Sequence, residues 1–232
     1  MNRFRRTTAR MALAGAMALL LSCASAPVKK NYMLNYVPPP MTSRLKQGAY
    51  PFTVRIRELS VEEAYARPQI VYRKSPFELE YYFYRVWAVK PARMITDLLY
   101  SHLLSVNLVS SVVRRLDEGN KPDFELSGVI SAIEEYDSDE AWFAHLSMRL
   151  QLARVSDGRV LYSRHFDHRK QAFQNRPELV VREMSAIMEF IGYQLTRDLD
   201  AILAREYGLS APPRQVPEQE TDSTTDVPET WQ

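Results

Sequence analysis

The sequence predicts an α+β fold, in which two amphipathic helices pack on one face of a largely antiparallel sheet. Three observations predict it. Several short stretches alternate apolar and polar residues, which is the period of a half-buried strand. Two longer stretches repeat apolar residues at intervals of three and four, which is the period of a helix lying on a core. Their order is β–β–β–α–β–β–β–α, and strands with one apolar face need helices only on that face.

The first three predicted strands precede a predicted helix. Phe52, Val54 and Ile56 alternate with polar residues, and residues 69–72 and 79–84 are rich in β-branched and aromatic side chains. Pro91 then opens a helix, because proline fits the first helical turn. The apolar face of this helix follows helical spacing through Met94, Ile95, Leu98, Leu99, His102, Leu103 and Val106. The run Asp117-Glu118-Gly119-Asn120 has the composition of a turn.

Three more strands and a helix are predicted after that turn. Residues 124–130 alternate, and residues 142–152 form the clearest alternating run in the chain. The Asp157-Gly158 pair predicts a hairpin turn over residues 156–159, with residues 160–168 as the returning strand. A long helix follows from Pro177 to about residue 204, with its apolar stripe at Met184, Ile187, Met188, Ile191, Leu195, Leu199 and Ile202.

Residues 1–22 are predicted to be a bacterial secretory signal peptide. Four arginines precede an apolar run from Met11 to Leu21, and small residues follow. This run of about 11 residues is shorter than the ~20 needed to span a bilayer. Without the four arginines the chain keeps 26 basic and 28 acidic residues. That balance gives no basic patch that would favour nucleic-acid binding.

The single cysteine of the chain, Cys23, follows the apolar run directly. The stretch Leu20-Leu21-Ser22-Cys23 resembles the lipobox of bacterial lipoproteins. This resemblance implies an S-diacylglycerol on Cys23, cleavage before it and an N-acyl group on the new amino terminus. Two or more acyl chains anchor a protein stably in a membrane. The alternative is an incidental cysteine in a cleaved signal.

The predicted domain organisation follows from these segments. Residues 23–30 form a lipidated tether, and residues 31–208 form the folded domain. Residues 209–232 are acidic and rich in Pro and Thr, so they are predicted to be a disordered tail. Ala24 follows the cysteine instead of Asp, which by resemblance to enterobacterial sorting implies the periplasmic face of the outer membrane.

No catalytic motif is found in the sequence. It has no phosphate-binding loop, no dinucleotide glycine pattern and no G-x-S-x-G elbow. His165 and His168 are three apart on a strand and therefore point to opposite faces, which disfavours a metal site. The acidic run at residues 134–140 is interpreted as a solvated hairpin loop, and His102 as a hydrogen-bonded core histidine. No enzyme activity, metal or cofactor is predicted beyond the lipid on Cys23.

An aromatic cluster at residues 81–87 holds five rings and one arginine, Tyr81-Tyr82-Phe83-Tyr84-Arg85-Val86-Trp87. Aromatic residues and arginine are enriched at binding hot spots. Core filling explains the same residues equally well, because a strand can do both on its two faces. The residues predicted to contact a partner are Tyr72, Arg73, Tyr82, Tyr84, Arg85 and Trp87.

These residues also carry a resemblance to a known family. The stretch 66–73, ARPQIVYR, the Tyr-rich strand, Arg85-Val86-Trp87-Ala88 and the helix at Pro91 resemble the ABC-type transport auxiliary lipoproteins, the PqiC-like family. The segment Asn31-Tyr32-Met33-Leu34 resembles an early strand of that family. The resemblance spans residues 23 to about 205, although Val89-Lys90 departs from the usual acidic approach to the proline.

The resemblance implies an accessory of an MCE-type lipid transport system. Its partners would be an MCE-domain protein and an ABC transporter permease and ATPase, with the lipoprotein docking this assembly at the outer membrane. The family brings no catalytic residues to this chain. Two alternatives stay open: a carrier that binds lipid directly, and an envelope-assembly lipoprotein that partners a β-barrel.

Overall fold

The computed structural model describes residues 27–38, 43, 45, 48–115, 121–138, 141–174 and 176–209. Along these residues, five strands precede the first of two helices and four strands lie between the helices, with a short 3₁₀ turn at Glu63–Tyr65. The helices are α1 (Pro91–Val106) and α2 (Pro177–Glu206). The strands are β1 (Lys30–Tyr32), β2 (Tyr50–Ile56), β3 (Ser60–Val61), β4 (Gln69–Ser75), β5 (Glu78–Trp87), β6 (Val109–Val113), β7 (Phe124–Asp137), β8 (Trp142–Arg154) and β9 (Val160–Ala172).

The nine described strands form one mixed sheet. The main path runs β1-β5-β4-β7-β2-β6, and β8 and β9 continue from β7. Antiparallel ladders join β4 to β5, β7 to β8 and β8 to β9. Parallel pairings join β1 to β5, β2 to β6, and β7 to each of β2, β3 and β4. The predicted α+β class is confirmed, and the parallel pairings are the part that alternation alone did not predict.

The predicted hairpin turn between β8 and β9 is confirmed. Gly158 has φ +71°, a conformation that glycine adopts without steric cost. The side chain of Asp157 accepts a hydrogen bond from the backbone N–H of Arg159 at 3.0 Å. This turn fixes the register of the β8–β9 ladder, in which Leu152 lies opposite Tyr162 and Trp142 opposite Ala172.

Both helices lie on the same face of the sheet, as predicted. The apolar stripes of α1 and α2 join the apolar residues of β7 and β8 in one buried cluster. Pro91 occupies the first turn of α1, and Asn107 closes that helix in the left-handed conformation with φ 50°. His102 of α1 and Thr196 of α2 are hydrogen bonded at 2.9 Å, which joins the two helices directly.

The chain after β1 crosses the helices, and we call residues 33–38 the N-terminal strap. Leu34 is buried against α1, where its N–H lies 3.4 Å from the sulfur of Met94. The N–H of Asn35 donates to Ser185 of α2 at 3.2 Å, and the hydroxyl of Tyr36 lies 3.0 Å from His102 Nδ1. The strap therefore ties the start of the domain to both helices.

Two short strands, β3 and β6, were missed, since two or five residues give too little periodicity to recognise. The turn predicted at residues 117–120 lies outside the described residues, as do the predicted signal peptide and Cys23 and nearly all of the predicted tail. The other predicted strands and both helices are present at the predicted positions.

Candidate functional site

Two tyrosines stack across the β4–β5 hairpin and form the centre of the candidate site. The rings of Tyr72 and Tyr82 lie 4.5 Å apart with an interplanar angle of 28°. The guanidinium of Arg85 lies 4.4 Å from the centre of the Tyr82 ring, and the Lys74 ammonium lies 5.5 Å from that of Tyr72. Such cation–π contacts hold a cation over an aromatic face. We call Tyr72, Lys74, Tyr82, Tyr84 and Arg85 the hairpin surface.

The hydroxyl groups of the stack are held by two carboxylates. Tyr82 donates to Glu135 at 3.2 Å, and Tyr72 donates to Glu80, which also pairs with Lys74 at 2.9 Å. Burial raises the pKa of Glu135, while the Tyr82 hydrogen bond and the Arg85 charge oppose that shift. Burial, followed by the nearby Glu135 carboxylate, raises the pKa of Tyr82. The hydroxyl groups of both rings are therefore fixed, and both side chains stay partly exposed to solvent.

The outer edge of β5 is open beside this stack. β1 pairs only with Arg85–Trp87, so among the described residues no strand covers the outer edge of residues 78–84. Tyr84 is 50% exposed, and Phe83 and Phe77 are exposed more fully. Unpaired backbone N–H and C=O groups on an edge strand are a ready template for an added strand. This arrangement suits binding of another chain rather than transformation of a small molecule.

Two of the predicted contact residues have structural roles instead. Trp87 is only 3% exposed and lies in the core, where α1 begins. Arg73 binds the buried Glu134 through its Nε, at 3.0 Å from both carboxylate oxygens. The structure therefore leaves Tyr72, Tyr82, Tyr84 and Arg85 on the hairpin surface. On the same hairpin, Arg73 binds Glu134 and Trp87 is buried in the core.

The prediction of a solvated loop at residues 134–140 is wrong for its first part. Residues 134–137 continue β7, and Glu134 and Glu135 are 1% and 2% exposed. Neighbouring residues of a strand point to opposite faces of the sheet. The β7–β8 register shifts between Ile130 and Ala132, and this bulge places Glu135 opposite Ala144 and Glu134 opposite His145. Residues 139–140 of the acidic run lie outside the described residues.

Glu134 is the centre of a buried polar network that sequence reasoning missed. Its carboxylate accepts from Tyr65 at 2.5 Å and from Arg73, and lies 2.9 Å from His145 Nδ1. The other ring nitrogen of His145 lies 2.9 Å from Asp167. Burial raises the pKa of Glu134, but the bonds from His145, Tyr65 and Arg73 outweigh it and leave this pKa below its usual value.

The network around Glu134 links the 3₁₀ turn, β4, β7, β8 and β9. Both ring nitrogens of His145 lie 2.9 Å from carboxylate oxygens, so the ring is held within the network. Burial and the Glu134 hydrogen bond raise the pKa of Tyr65 to about 12, which keeps its hydroxyl protonated. The geometry is that of a structural cross-link. Within the described residues no group of three or more His, Cys, Asp or Glu side chains is arranged to hold a metal ion.

The prediction that His102 is a hydrogen-bonded core histidine is confirmed. Thr196 donates to the carbonyl of Gly192 at 2.9 Å and therefore accepts from His102 Nε2. The remaining nitrogen, Nδ1, then accepts from the Tyr36 hydroxyl. Burial lowers the pKa of His102 to about 4, so the ring is neutral at pH 7.

A cleft of about 630 Å³ lies at the other end of the molecule, where β8 and α2 end. Its walls combine charged side chains with the apolar Phe52, Phe124 and Val155. Beside it, Arg154 bridges Glu206 at 2.5 Å and Asp157 at 2.8 Å. The lining residues include Phe52, Arg55, Lys121, Asp123, Glu125 and Arg154.

Comparison with known proteins gives the family. The family model described as the ABC-type transport auxiliary lipoprotein component matches residues 32–195, which is more than half of the chain. The chain belongs to this family. The resemblance found in the sequence is thereby confirmed, and the family is one of membrane-anchored lipoproteins that assist ABC-type transport. The matched region runs from β1 into α2 and contains both the hairpin surface and the Glu134 network.

Solved structures support the same fold. Protein XCC0632 from Xanthomonas campestris has a TM-score of 0.65 at 18% identity, and the match covers 76% of this chain and 98% of that one. The crystal structure of an uncharacterized protein has a TM-score of 0.58 at 14% identity, with 75% and 99% covered. A comparison with curated proteins returned no match. Neither described helix has an apolar stretch long enough to cross a membrane.

Proposed function

We propose that this auxiliary lipoprotein is a non-enzymatic docking module of an MCE-type lipid transport system. Acyl groups on Cys23 hold it at the periplasmic face of the outer membrane. The domain binds an MCE-domain protein that works with an ABC permease and ATPase. The family match over residues 32–195 is the observation that carries this proposal. The polar networks of the described domain support it, because their side chains bind one another and stabilise the fold.

The hairpin surface is the proposed contact for the transport assembly. It combines stacked aromatic rings, a guanidinium and a free strand edge, which together offer apolar area, a cation and backbone hydrogen bonds. Aromatic residues and arginine contribute most strongly to binding when a partner excludes water from them. We expect the partner to exclude solvent from the side chains of Tyr82, Tyr84 and Arg85.

Recovery of partners from membranes tests this function. The lipidated chain with a C-terminal affinity tag, extracted in mild detergent, should recover an MCE-domain protein and the ABC subunits. Tyr84→Ala with Arg85→Ala should lower recovery at least about tenfold, as expected for loss of a hot spot of ~1.4 kcal/mol or more. The matched control is Tyr193→Ala with Arg197→Ala, a tyrosine–arginine pair on α2 with 5.8 Å between guanidinium and ring centre.

The outcomes of that experiment separate the alternatives. Recovery of a β-barrel protein without MCE or ABC components would favour an envelope-assembly role. Equal recovery by the hairpin variant and the control would place the contact elsewhere on the domain. An unchanged circular dichroism spectrum and melting temperature verify that each variant is folded.

The anchor is tested separately at Cys23. Metabolic labelling with palmitate should mark the mature chain, and Cys23→Ala should lose both the label and the membrane fraction. A Cys23→Ala chain that stays equally firmly in the membrane fraction would contradict the lipid anchor.

The packing between helices and sheet supports docking over direct lipid carriage. A carrier needs an apolar cavity, and here Leu146, Met148, Met184 and Ile191 fill the space between β8 and α2. Native mass spectrometry of the protein released from detergent checks this. Lipid that stays bound in a fixed ratio, beyond the covalent acyl groups, would favour the carrier.

A further inference from the structure

Four structural elements meet at one end of the molecule, which we call the proximal end. The β4–β5 turn lies here, because Arg73 pairs with Tyr136 near the end of β7. Asp137, at the end of β7, pairs with Trp142 at the start of β8. Trp142 pairs in turn with Ala172 at the end of β9. α2 begins at Pro177, a few residues later. The cleft lined by Arg154 and Glu206 lies at the opposite, distal end.

Two phenylalanines project from the proximal end into solvent. Phe77, in the β4–β5 turn, is 99% exposed, and Phe173, directly after β9, is 80% exposed. At this end of the sheet the ends of β4, β7, β8 and β9 lie side by side in that order, and the two phenylalanines lie on either side of them. Exposed aromatic rings at one end of a membrane-anchored protein are typical of insertion at the headgroup–acyl boundary.

The position of β1 directs the chain before it toward the same end. β1 runs parallel to β5, with Lys30 level with Arg85 and Tyr32 level with Trp87. The strap after β1 runs along α2 in the distal direction, from Tyr32 at Glu178 to Asn35 at Ser185. The residues that precede Lys30 therefore leave the domain in the proximal direction.

The length of the tether sets how far the anchor reaches. Seven residues separate Cys23 from Lys30, and seven also separate Glu78 from Arg85 on the neighbouring strand. A chain of seven residues spans at most about 25 Å. A chain of this length, extended from Lys30 in the proximal direction, reaches at least the level of Glu78, because β5 bulges between Tyr81 and Val86. A membrane that holds Cys23 therefore lies within reach of the proximal end and out of reach of the distal end.

We propose that the proximal end rests on the phospholipid bilayer, with the rings of Phe77 and Phe173 inserted at the headgroup–acyl boundary. This inference rests on the proposed anchoring at Cys23 and adds the orientation of the domain. In this orientation the strand ends at the proximal end face the membrane. The distal cleft faces away, and the free edge of β5 is directed sideways to the transport assembly.

Apolar insertion, and not net charge, drives this contact. Lys74, Lys170 and Arg176 lie three residues from the two phenylalanines, but all three are paired, with Glu80, Glu183 and Glu178. The exposed Glu78 adds a negative charge beside Phe77. The contact should therefore be insensitive to salt, whereas attraction of a basic patch to anionic lipids is screened by salt.

Site-specific fluorescence tests the orientation. Cys23 is the only cysteine, and an acylated thiol does not react, so an introduced cysteine gives one labelling site. The lipidated variants Phe77→Cys, Phe173→Cys, Phe83→Cys and Val160→Cys are labelled with the polarity-sensitive dye NBD. They are then reconstituted into vesicles of phosphatidylethanolamine and phosphatidylglycerol. Val160 is the control, since it is exposed at the distal hairpin.

The expected result is a pattern of positions. NBD at residues 77 and 173 should shift to shorter wavelength. Nitroxide-bearing lipids should quench it at least about twofold, because groups at the boundary lie ~5–10 Å deep. NBD at residue 160 should keep its emission in water, and added salt should change none of these signals.

Two results would overturn the inference. Labels at 77 and 173 that behave like the label at 160 would show that the proximal end does not touch the bilayer. A response at residue 83 without one at 77 and 173 would show that the domain lies on its β5 edge. Failure of the anchor itself gives a different result. The parent chain would then take up NBD at Cys23 and would not float with the vesicles, and the proposed orientation would be wrong as well.

Discussion

Glu134 is a carboxylate held inside the sheet by three side chains from three different elements. Tyr65, Arg73 and His145 approach it from the 3₁₀ turn, β4 and β8. Removing one member of a buried charged group leaves its partners without compensation, which is strongly destabilising. The acidic run at residues 134–140 did not indicate this role, because a sequence does not distinguish a buried carboxylate from a solvated one. The bulge that places Glu134 opposite His145 depends on pairing with β8.

Glu134→Ala should destabilise the domain by about 3–5 kcal/mol, because Arg73 and His145 lose their shared carboxylate. The matched control is Glu78→Ala, which removes an exposed carboxylate from the turn-proximal end of β5. Urea unfolding monitored by circular dichroism measures both. A Glu134→Ala domain as stable as the control would mean that the network contributes little.

His102 should make stability depend on pH in the mildly acidic range. Its pKa falls from an ordinary value of 6.5 to about 4 in the folded domain. Between these values the unfolded chain binds a proton that the folded domain does not, so stability falls as pH decreases from 6.5 to 4. The full loss is on the order of 3 kcal/mol, at 1.36 kcal/mol for each pH unit.

Urea unfolding from pH 7.5 to 4.5 checks this, with His102→Gln as the variant that cannot titrate. The stability advantage of the parent over His102→Gln should shrink as pH falls. His165→Gln, which removes an exposed imidazole, is the control and should follow the parent. Parallel pH profiles for the parent and His102→Gln would contradict a buried neutral imidazole.

At the level of elements, α1 and α2 approach each other at Gly192. A Cβ at this position would lie 2.7 Å from His102 Nδ1 and 2.9 Å from the Tyr36 hydroxyl oxygen. Both contacts are closer than real Cβ atoms allow, so glycine is required for the helices and the strap to meet. The sequence analysis did not use this glycine, although a lone glycine inside an otherwise periodic helix indicates a close contact.

Gly192→Ala therefore sets two effects against each other. Alanine favours the helix by about 1 kcal/mol over glycine, while overpacking a core costs about 1–3 kcal/mol. The clash also disturbs the bond between Tyr36 and His102, so we expect a net loss of stability. Thermal melting measures it, and Arg197→Ala, at an exposed site of α2, is the control for the alanine itself. A raised melting temperature for Gly192→Ala would show that the ring of His102 moves freely.

Most helices and strands were predictable from local sequence, and the pairing of the strands was not. The stripes of α1 and α2 and the alternation in β8 repeat often enough to be recognised in one segment. β7 makes parallel pairs with β2, β3 and β4 from widely separated stretches, and these pairings depend on long-range packing. The hairpin surface was predicted by its composition, but which of its residues face solvent depended on the register of β4 and β5.

Across the whole molecule, the strands of the sheet should differ in local stability. β8 is paired on both sides along nearly its full length, and its inward residues are buried under α2. Residues 78–84 have a free outer edge among the described strands. Amides exchange with solvent according to the free energy of local opening, which is small at such an edge and close to the global value in the core.

Hydrogen exchange followed by mass spectrometry should show this difference in the purified lipoprotein. Peptides from residues 142–154 should exchange only on global unfolding, and peptides from residues 78–84 should exchange much earlier. Equal protection of both would mean that another strand or a second copy covers the edge of β5. Bound transport partners should slow exchange at residues 78–84 and leave residues 142–154 unchanged.

The parallel pairing of β1 with β5 has a mechanical consequence. Tension at the amino terminus enters the fold at Lys30 and runs along the strand axis. Such a load shears the hydrogen bonds of β1 all at once instead of unzipping them singly. Behind β1, the buried Leu34 and the bond from Asn35 to Ser185 resist the same pull. The amino-terminal end of the domain is thereby placed to resist a pull along β1, such as the proposed anchor at Cys23 would exert.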